Sequence, residues 1–252
     1  MGKNEGGTGE PALFLKFLKE EGIDEIYLTG QKEQPPGRQT LGAEPSRAVV
    51  KEAPGFPAPS SIKEELLQLR EKVLRCKLCG ELAANRKSVV FGAGNIKADL
   101  VFVGEAPGRD EDLQGLPFVG RAGQLLTKII ESIGLERKQV FICNVLKCRP
   151  PGNRPPRPEE VLNCQPYLLR QLELIQPKII CALGTFAAQS ILKTGEPISK
   201  LRGRFVDYPD VNIKAKVICT FHPAYLLRNP AEKRKVWEDM KMIRKELECG
   251  HV

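Results

Sequence analysis

No stretch of this sequence stays apolar for the roughly 20 residues that a membrane-spanning helix requires. A soluble chain is therefore expected, with no role in a membrane. The N-terminus, Met1-Gly2-Lys3-Asn4-Glu5-Gly6-Gly7, lacks the basic-then-apolar pattern of a signal peptide, and no Ser or Thr stands where a myristoylation signal needs one. A cytoplasmic location follows as the expectation. No internal repeat is visible. The chain also lacks the dinucleotide-binding fingerprint, since Gly104 and Gly108 enclose three residues and no suitable acidic partner follows, which argues against a nicotinamide or flavin oxidoreductase. Histidine is scarce: His222 and His251 are the only two, and the second lies at the C-terminal end.

Cysteine, by contrast, is present eight times. In a reducing compartment one Cys-x-x-Cys pair with uneven further spacing points to metal rather than to disulfides. Cys76 and Cys79 are separated by 2 residues, Cys79 and Cys148 by 68, and Cys148 and Cys164 by 15. Four thiolates suit zinc and an iron–sulfur cluster equally well by ligand count. The spacing matches neither the tandem ferredoxin run nor two zinc knuckles. Cys143, Cys181 and Cys219 sit inside apolar strand-like runs and read as small core residues.

The net charge is +8 and unevenly spread. Residues 1–60 carry 7 Lys and Arg against 9 Asp and Glu, whereas residues 61–252 carry 32 against 22. The basic part is thus the body of the chain, which makes a polyanionic partner plausible.

Three segments are expected. Residues 1–29 hold a short amphipathic helix with Leu13, Leu15, Phe17 and Leu18, too short to fold alone and suited to docking on the body or recruiting a partner. Residues 30–60 hold six prolines and little periodicity, and read as a linker. From residue 61 to 252 strand-like and helical runs alternate. Ser60 or Ser61 can cap a helix that ends at Cys76. Strands are expected over Asp99–Val103, Val140–Val145, Lys178–Leu183 and Lys216–Thr220, with helices over Ala122–Ile133, Pro158–Ile175, Thr185–Leu192 and Ala231–Glu248. This alternation implies an α/β fold: a three-layer αβα sandwich around a central, mostly parallel four-stranded sheet. Polar motifs follow each strand in turn: Gly104-Glu105-Ala106-Pro107-Gly108, then Asn144, then Gly184-Thr185, then His222. In open α/β sheets the carboxyl ends of the strands form the ligand crevice, so four loops should meet at one site.

The residues Gly104 to Asp112, the run Pro117-Phe118-Val119-Gly120-Arg121-Ala122-Gly123-Gln124-Leu125-Leu126, Asn144-Val145 with Cys148-Arg149-Pro150-Pro151-Gly152-Asn153-Arg154, and His222-Pro223-Ala224-Tyr225-Leu226-Leu227 closely resemble the family 4 uracil-DNA glycosylases, over about residues 65–245. The resemblance implies a uracil-DNA glycosylase-like fold and a monofunctional enzyme that flips uracil out of DNA and hydrolyses its N-glycosidic bond, the first step in base-excision repair of deaminated cytosine. It also implies a structural [4Fe–4S] cluster on Cys76, Cys79, Cys148 and Cys164.

Residue by residue, the resemblance makes Phe118 the aromatic platform under the flipped base and Asn144 the reader of the pyrimidine edge. Ala106 and Gly108 belong to the base-binding loop. His222 becomes the donor to uracil O2 as charge builds on the leaving base. Glu111 aligns with the residue that crowds the C5 position against thymine, although it could equally be part of a solvated acidic loop. Ala106 stands where other uracil glycosylases carry a water-activating aspartate, which leaves Glu105 and Asn153 as candidates for orienting the water. Arg149 and Arg154 in the proline-rich loop, and Arg228, are candidates for DNA phosphates. Leu226 or Leu227 could wedge into the gap in the stack. No lysine matches a Schiff-base nucleophile, and Arg121 runs directly into Ala122 without the basic insertion of a DNA-trapping relative. Uracil-containing DNA is the expected partner, with a sliding clamp or other repair protein possible at the N-terminal extension, and the enzyme is expected to be a monomer. Two other readings fit some of the same features: a non-catalytic iron–sulfur DNA-binding protein and a glycosylase for other deaminated bases such as hypoxanthine.

Overall fold

The computed structural model describes residues 61–249; the helical extension and linker expected over residues 1–29 and 30–60, and His251, lie outside the described residues. The first helix, α1 (Ile62–Leu74), opens on a capping box. The Ser61 hydroxyl accepts from the Glu64 amide at 3.3 Å while the Glu64 carboxylate accepts from the Ser61 amide at 2.9 Å. A short helix α2 (Gly80–Asn85) follows Cys79.

The chain then alternates: β1 (Ala93–Gly94), β2 (Leu100–Gly104), α3 (Arg109–Gln114), α4 (Arg121–Ser132), β3 (Phe141–Asn144), α5 (Pro158–Ile175), β4 (Ile179–Leu183), α6 (Thr185–Leu192), α7 (Ile198–Leu201), β5 (Phe205–Asp207), β6 (Lys216–Thr220), α8 (Pro223–Arg228) and α9 (Lys233–Cys249). The sheet order is β1-β3-β2-β4-β6-β5. The four inner strands are parallel, and the outer two are antiparallel to their neighbours. The sheet thus has six strands rather than the expected four. The additional edges are only two and three residues long, too short to show a period-2 pattern.

Alternate residues of the inner strands point into two separate cores. Val101, Val103, Ile180, Ala182 and Val217 face α1, α5 and α6. Leu100, Phe102, Ile142, Cys181 and Ile218 face α4, α8 and α9. Burial on both faces explains why the inner strands read as continuous apolar runs, and it makes the three-layer sandwich. Cys143, Cys181 and Cys219 are all core residues.

Candidate active site

A cavity of about 450 Å³ opens at the carboxyl ends of the parallel strands, lined by Glu105, Ala106, Gly108, Glu111, Phe118, Asn144, Asn153, Arg154, His222 and Arg228, together with Pro107, Ala122, Pro150, Ala224 and Tyr225. The first ten all stood out in the sequence. The other five close the walls and carry no polar motif of their own.

The floor is set by two strand ends and one strained turn. Asn144, the last residue of β3, is 1% exposed, and its side-chain Oδ1 has no hydrogen-bond partner among the described residues. Gly104 pairs with it across the sheet. A Cβ on Gly104 would stand 2.4 Å from Asn144 Oδ1 and 2.6 Å from Phe118 Cζ, so only glycine lets the base of the cavity close this tightly. Phe118 adopts a left-handed φ of 51°, a conformation that costs energy in a non-glycine residue unless the surroundings impose it. Three contacts do so. Glu111 Oε1 accepts from the Val119 and Gly120 amides at 2.9 and 3.0 Å. Arg137 Nη2 donates to Pro117 O at 2.5 Å. Gly123 lets the Phe118 carbonyl come within 1.9 Å of where a Cβ would be.

Two of the three acidic residues are therefore held in place, while Asp110 stays exposed. Glu111 braces the Phe118 turn, Asp112 is buried and accepts from the Lys87 and Ser88 amides at 2.9 and 3.2 Å, and Asp110 faces Gly120. All three lie in the first turn of α3, where negative charge also favours the helix terminus.

His222 caps α8, its Nδ1 accepting from the Ala224 amide at 3.1 Å. The acceptor role of Nδ1 leaves the ring proton on Nε2. Burial, with Arg228 nearby, pushes its pKa down to about 4, against a smaller opposing pull from Glu111. The imidazole is thus neutral at physiological pH. Its ring lies 5.5 Å from that of Phe118, centroid to centroid. Glu105 also lines the cavity, and burial raises its carboxyl pKa.

One sequence expectation is corrected here, and two arginines expected at phosphates have partners within the protein. Leu226 is fully buried in the core facing α9, whereas Leu227 is 42% exposed, because α8 is helical and adjacent residues on a helix point in different directions. Arg154 lines the cavity, but its guanidinium is held by Glu160 at 2.5 Å and Glu81 at 2.9 Å. Arg149 is absent from the lining; its Nε donates to Asn153 Oδ1 at 2.8 Å. Both arginines shape the proline-rich loop. Three of the arginines that pair with no carboxylate among the described residues, Arg109, Arg121 and Arg228, border a second cleft of about 380 Å³, continuous with the first through Glu111, Ala122, Asn153, Ala224 and Arg228. Motif reading passed over the first two, although both flank motif glycines.

The four cysteines come from distant elements: Cys76 after α1, Cys79 at the start of α2, Cys148 after β3 and Cys164 on α5, and none forms a disulfide. Two of the sulfurs meet a side-chain donor: Arg86 Nη1 donates to Cys148 Sγ at 3.0 Å and Asn163 Nδ2 to Cys79 Sγ at 3.5 Å. Arg86 also binds Cys76 O at 2.8 Å, joining two cysteine-bearing segments. Burial pushes the Cys164 thiol up to about 11. Among the described residues no three His, Cys, Asp or Glu side chains are grouped for a single ion. Four thiols from distant segments, two of them with side-chain donors of which one is a guanidinium, fit a larger anionic group held by thiolates.

Comparison with known proteins agrees with this geometry. The family model described as the uracil DNA glycosylase superfamily matches residues 91–241. The chain is 48% identical over 184 residues to the type-4 uracil-DNA glycosylase of Archaeoglobus fulgidus, covering 71% of this chain and 92% of that protein. It is equally similar, at 48% over 184 residues, to the type-4 uracil-DNA glycosylase of Thermotoga maritima, covering 71% and 93%. The type-5 uracil-DNA glycosylase of Pyrobaculum aerophilum is 32% identical over 150 residues, covering 53% of this chain and 64% of that protein. The chain belongs to the type-4 uracil-DNA glycosylases.

Proposed function

We propose that this protein is a monofunctional uracil-DNA glycosylase, hydrolysing the N-glycosidic bond of a flipped uracil and leaving an abasic site for base-excision repair. One observation carries the reading: a buried amide oxygen without a partner among the described residues, Asn144 Oδ1, at the floor of a cavity walled by Phe118 and His222. A buried acceptor left unpaired costs about 1–3 kcal/mol, which a ligand N–H would recover. Uracil N3–H supplies that donor, and the Asn144 amide can donate to uracil O4. Phe118 offers its ring face to the base, and Glu111 and Gly108 close the side that a C5 methyl would approach.

As the glycosidic bond breaks, negative charge moves onto the base. A neutral His222 with its proton on Nε2 can donate to uracil O2 without first losing a proton. Removing one such preorganised donor typically costs about 100- to 1000-fold in rate. The water needs an acceptor. Asn153 Oδ1 already accepts from Arg149 and an amide cannot take up a proton, so Glu105, with its raised pKa, is the better general base of the two candidates. No lysine among the described residues lines the cavity, so hydrolysis rather than Schiff-base chemistry is the reading.

Cys76, Cys79, Cys148 and Cys164 are assigned to a [4Fe–4S] cluster, which when bound would cross-link the N-terminal segment, the loop after β3 and α5. Arg109, Arg121 and Arg228 would meet DNA phosphates, and Leu227 rather than Leu226 is the residue placed to enter the stack. No helix among the described residues is long and apolar enough to cross a membrane. A monomer acting in the cytoplasm remains the working picture, and a partner at residues 1–29 is testable by deleting them.

The test uses anaerobically purified protein and end-labelled oligonucleotides carrying one uracil or one thymine, treated with alkali after incubation. Alkali-dependent cleavage at uracil alone, strongly slowed by His222→Ala, is expected. A protein that keeps its cluster absorbance, binds DNA and cleaves neither strand would instead be a non-catalytic iron–sulfur DNA-binding protein.

A further inference from the structure

Lys147 is 1% exposed, between the base-reading strand end and a cysteine, and the chemistry above gives it no task. A buried ammonium is costly unless its donors are satisfied, and here two partners receive it. Nζ donates to the Asn144 backbone carbonyl at 2.8 Å and to Gln171 Oε1 at 2.6 Å. Gln171, itself fully buried, passes the network on by donating to Phe91 O at 2.9 Å. The backbone of Lys147 is held as well. Its carbonyl accepts from the Val90 amide at 2.8 Å. Gln171 and Cys164 lie seven residues apart on α5, two turns along one face. A single residue therefore ties the end of β3 to the helix that carries one cysteine, one position before another.

An apolar side chain would fill this volume without the cost of burying a charge. What it could not do is hold the Asn144 carbonyl. The turn leaving β3 is held from one side by the Val145 and Leu146 amides, which donate to Gly104 O and Glu105 O. Without Nζ the Asn144–Val145 peptide keeps its N–H bond to Gly104 O but loses the bond on its carbonyl, so its tilt, and with it the aim of the Asn144 side-chain amide, is held less tightly.

We infer that Lys147 is a positioning residue: its ammonium locks the Asn144 peptide to the cysteine-bearing helix, so that the cluster region sets the aim of the uracil-reading amide. The inference rests on the glycosylase reading, and wild-type activity on uracil DNA checks that reading separately. Asn144 recognises the base, not the phosphate backbone. Loosening it should weaken uracil recognition and leave DNA affinity alone, a split that general destabilisation does not produce.

The test compares the wild-type holoenzyme with Lys147→Met, which keeps the volume and removes the donors. Four quantities are read: iron per chain with cluster absorbance, inhibition by free uracil, affinity for DNA carrying a tetrahydrofuran abasic analogue, and the single-turnover rate. The expected result is unchanged iron, abasic-DNA affinity within about twofold, uracil inhibition weakened about tenfold and a rate lowered about tenfold or more, as loss of one buried hydrogen bond implies. Gln171→Met, which removes the second partner of Nζ, should shift uracil inhibition in the same direction by less, and it decides the matter if Lys147→Met does not fold. Uracil inhibition equal to wild type, or uracil and abasic-DNA affinities falling together with iron, overturns the inference. A wild-type protein inactive on uracil DNA would instead remove the glycosylase reading itself.

Discussion

The amide of Ala224 donates to Nδ1 of His222 at 3.1 Å, two residues along the same turn. That bond decides which ring nitrogen carries the proton, and burial decides that there is only one. Protonating His222 would set a second N–H against the Ala224 amide, so the pKa of about 4 and the hydrogen bond are two views of one environment.

The pH dependence follows from this. His222 stays neutral down to about 4, so the single-turnover rate should show no inflection near the ordinary histidine value of about 6.5. The acid limb should come from Glu105, whose raised pKa makes it protonate at a higher pH than an ordinary carboxyl group, and Glu105→Gln should abolish that limb. The sign for stability is also fixed. A histidine with a lowered folded pKa favours the folded state above about 6.5, and that contribution is lost as pH falls from there towards about 4. A rate inflection near 6.5 that disappears in His222→Ala would contradict the account.

Gly123→Ala tests the strained platform. The new Cβ would lie 1.9 Å from the Phe118 carbonyl, in rigid backbone. Overpacking of this kind costs about 1–3 kcal/mol, so uracil excision should fall about tenfold or more while cluster absorbance is unchanged. A variant as fast as wild type would mean that the turn carrying Phe118 is not held by this contact.

Arg86→Ala removes both the donor to Cys148 Sγ and the link to Cys76 O. The expected outcome is lower iron per chain and faster bleaching in air, with the melting temperature falling alongside. Asn163→Ala, which removes only the 3.5 Å contact to Cys79, should do less. Iron retention equal to wild type in Arg86→Ala would show that the guanidinium does not hold the site together.

Salt dependence separates the two groups of arginines. Arg109→Ala and Arg121→Ala should each flatten the slope of log affinity against log salt by about 0.7–0.9, the value for one lost phosphate contact. Arg154→Ala should leave the slope unchanged and lower stability, because Glu160, 4% exposed at its side chain, would lose its ion pair and keep only the Arg157 amide. The opposite pattern would return the phosphate role to the proline-rich loop.

Much of this molecule could be read before folding. The inner strands announced themselves as apolar runs because both faces are buried, and the polar motifs that follow them mark the mouth of the site. Asn144 and His222 stand out this way, whereas Phe118 and Glu111 stand out only through the family resemblance. The two short edge strands did not stand out, since two or three residues carry no period. Leu226 and Leu227 were indistinguishable until the short helix α8 turned one inward. Arg154 looked free because Glu81, one of its partners, lies 73 residues away.

The amino-acid sequence by itself determined the alternation of elements, the four cysteines and the motifs that identify the family, because periodicity, spacing and glycine requirements are local. Tertiary structure alone decided which charges are spent and which remain free, and which nitrogen of His222 bears the proton. It also decided that Lys147 is buried against the Asn144 carbonyl. These depend on groups brought together from distant segments, where desolvation and hydrogen-bond geometry, rather than residue type, set what a side chain can do.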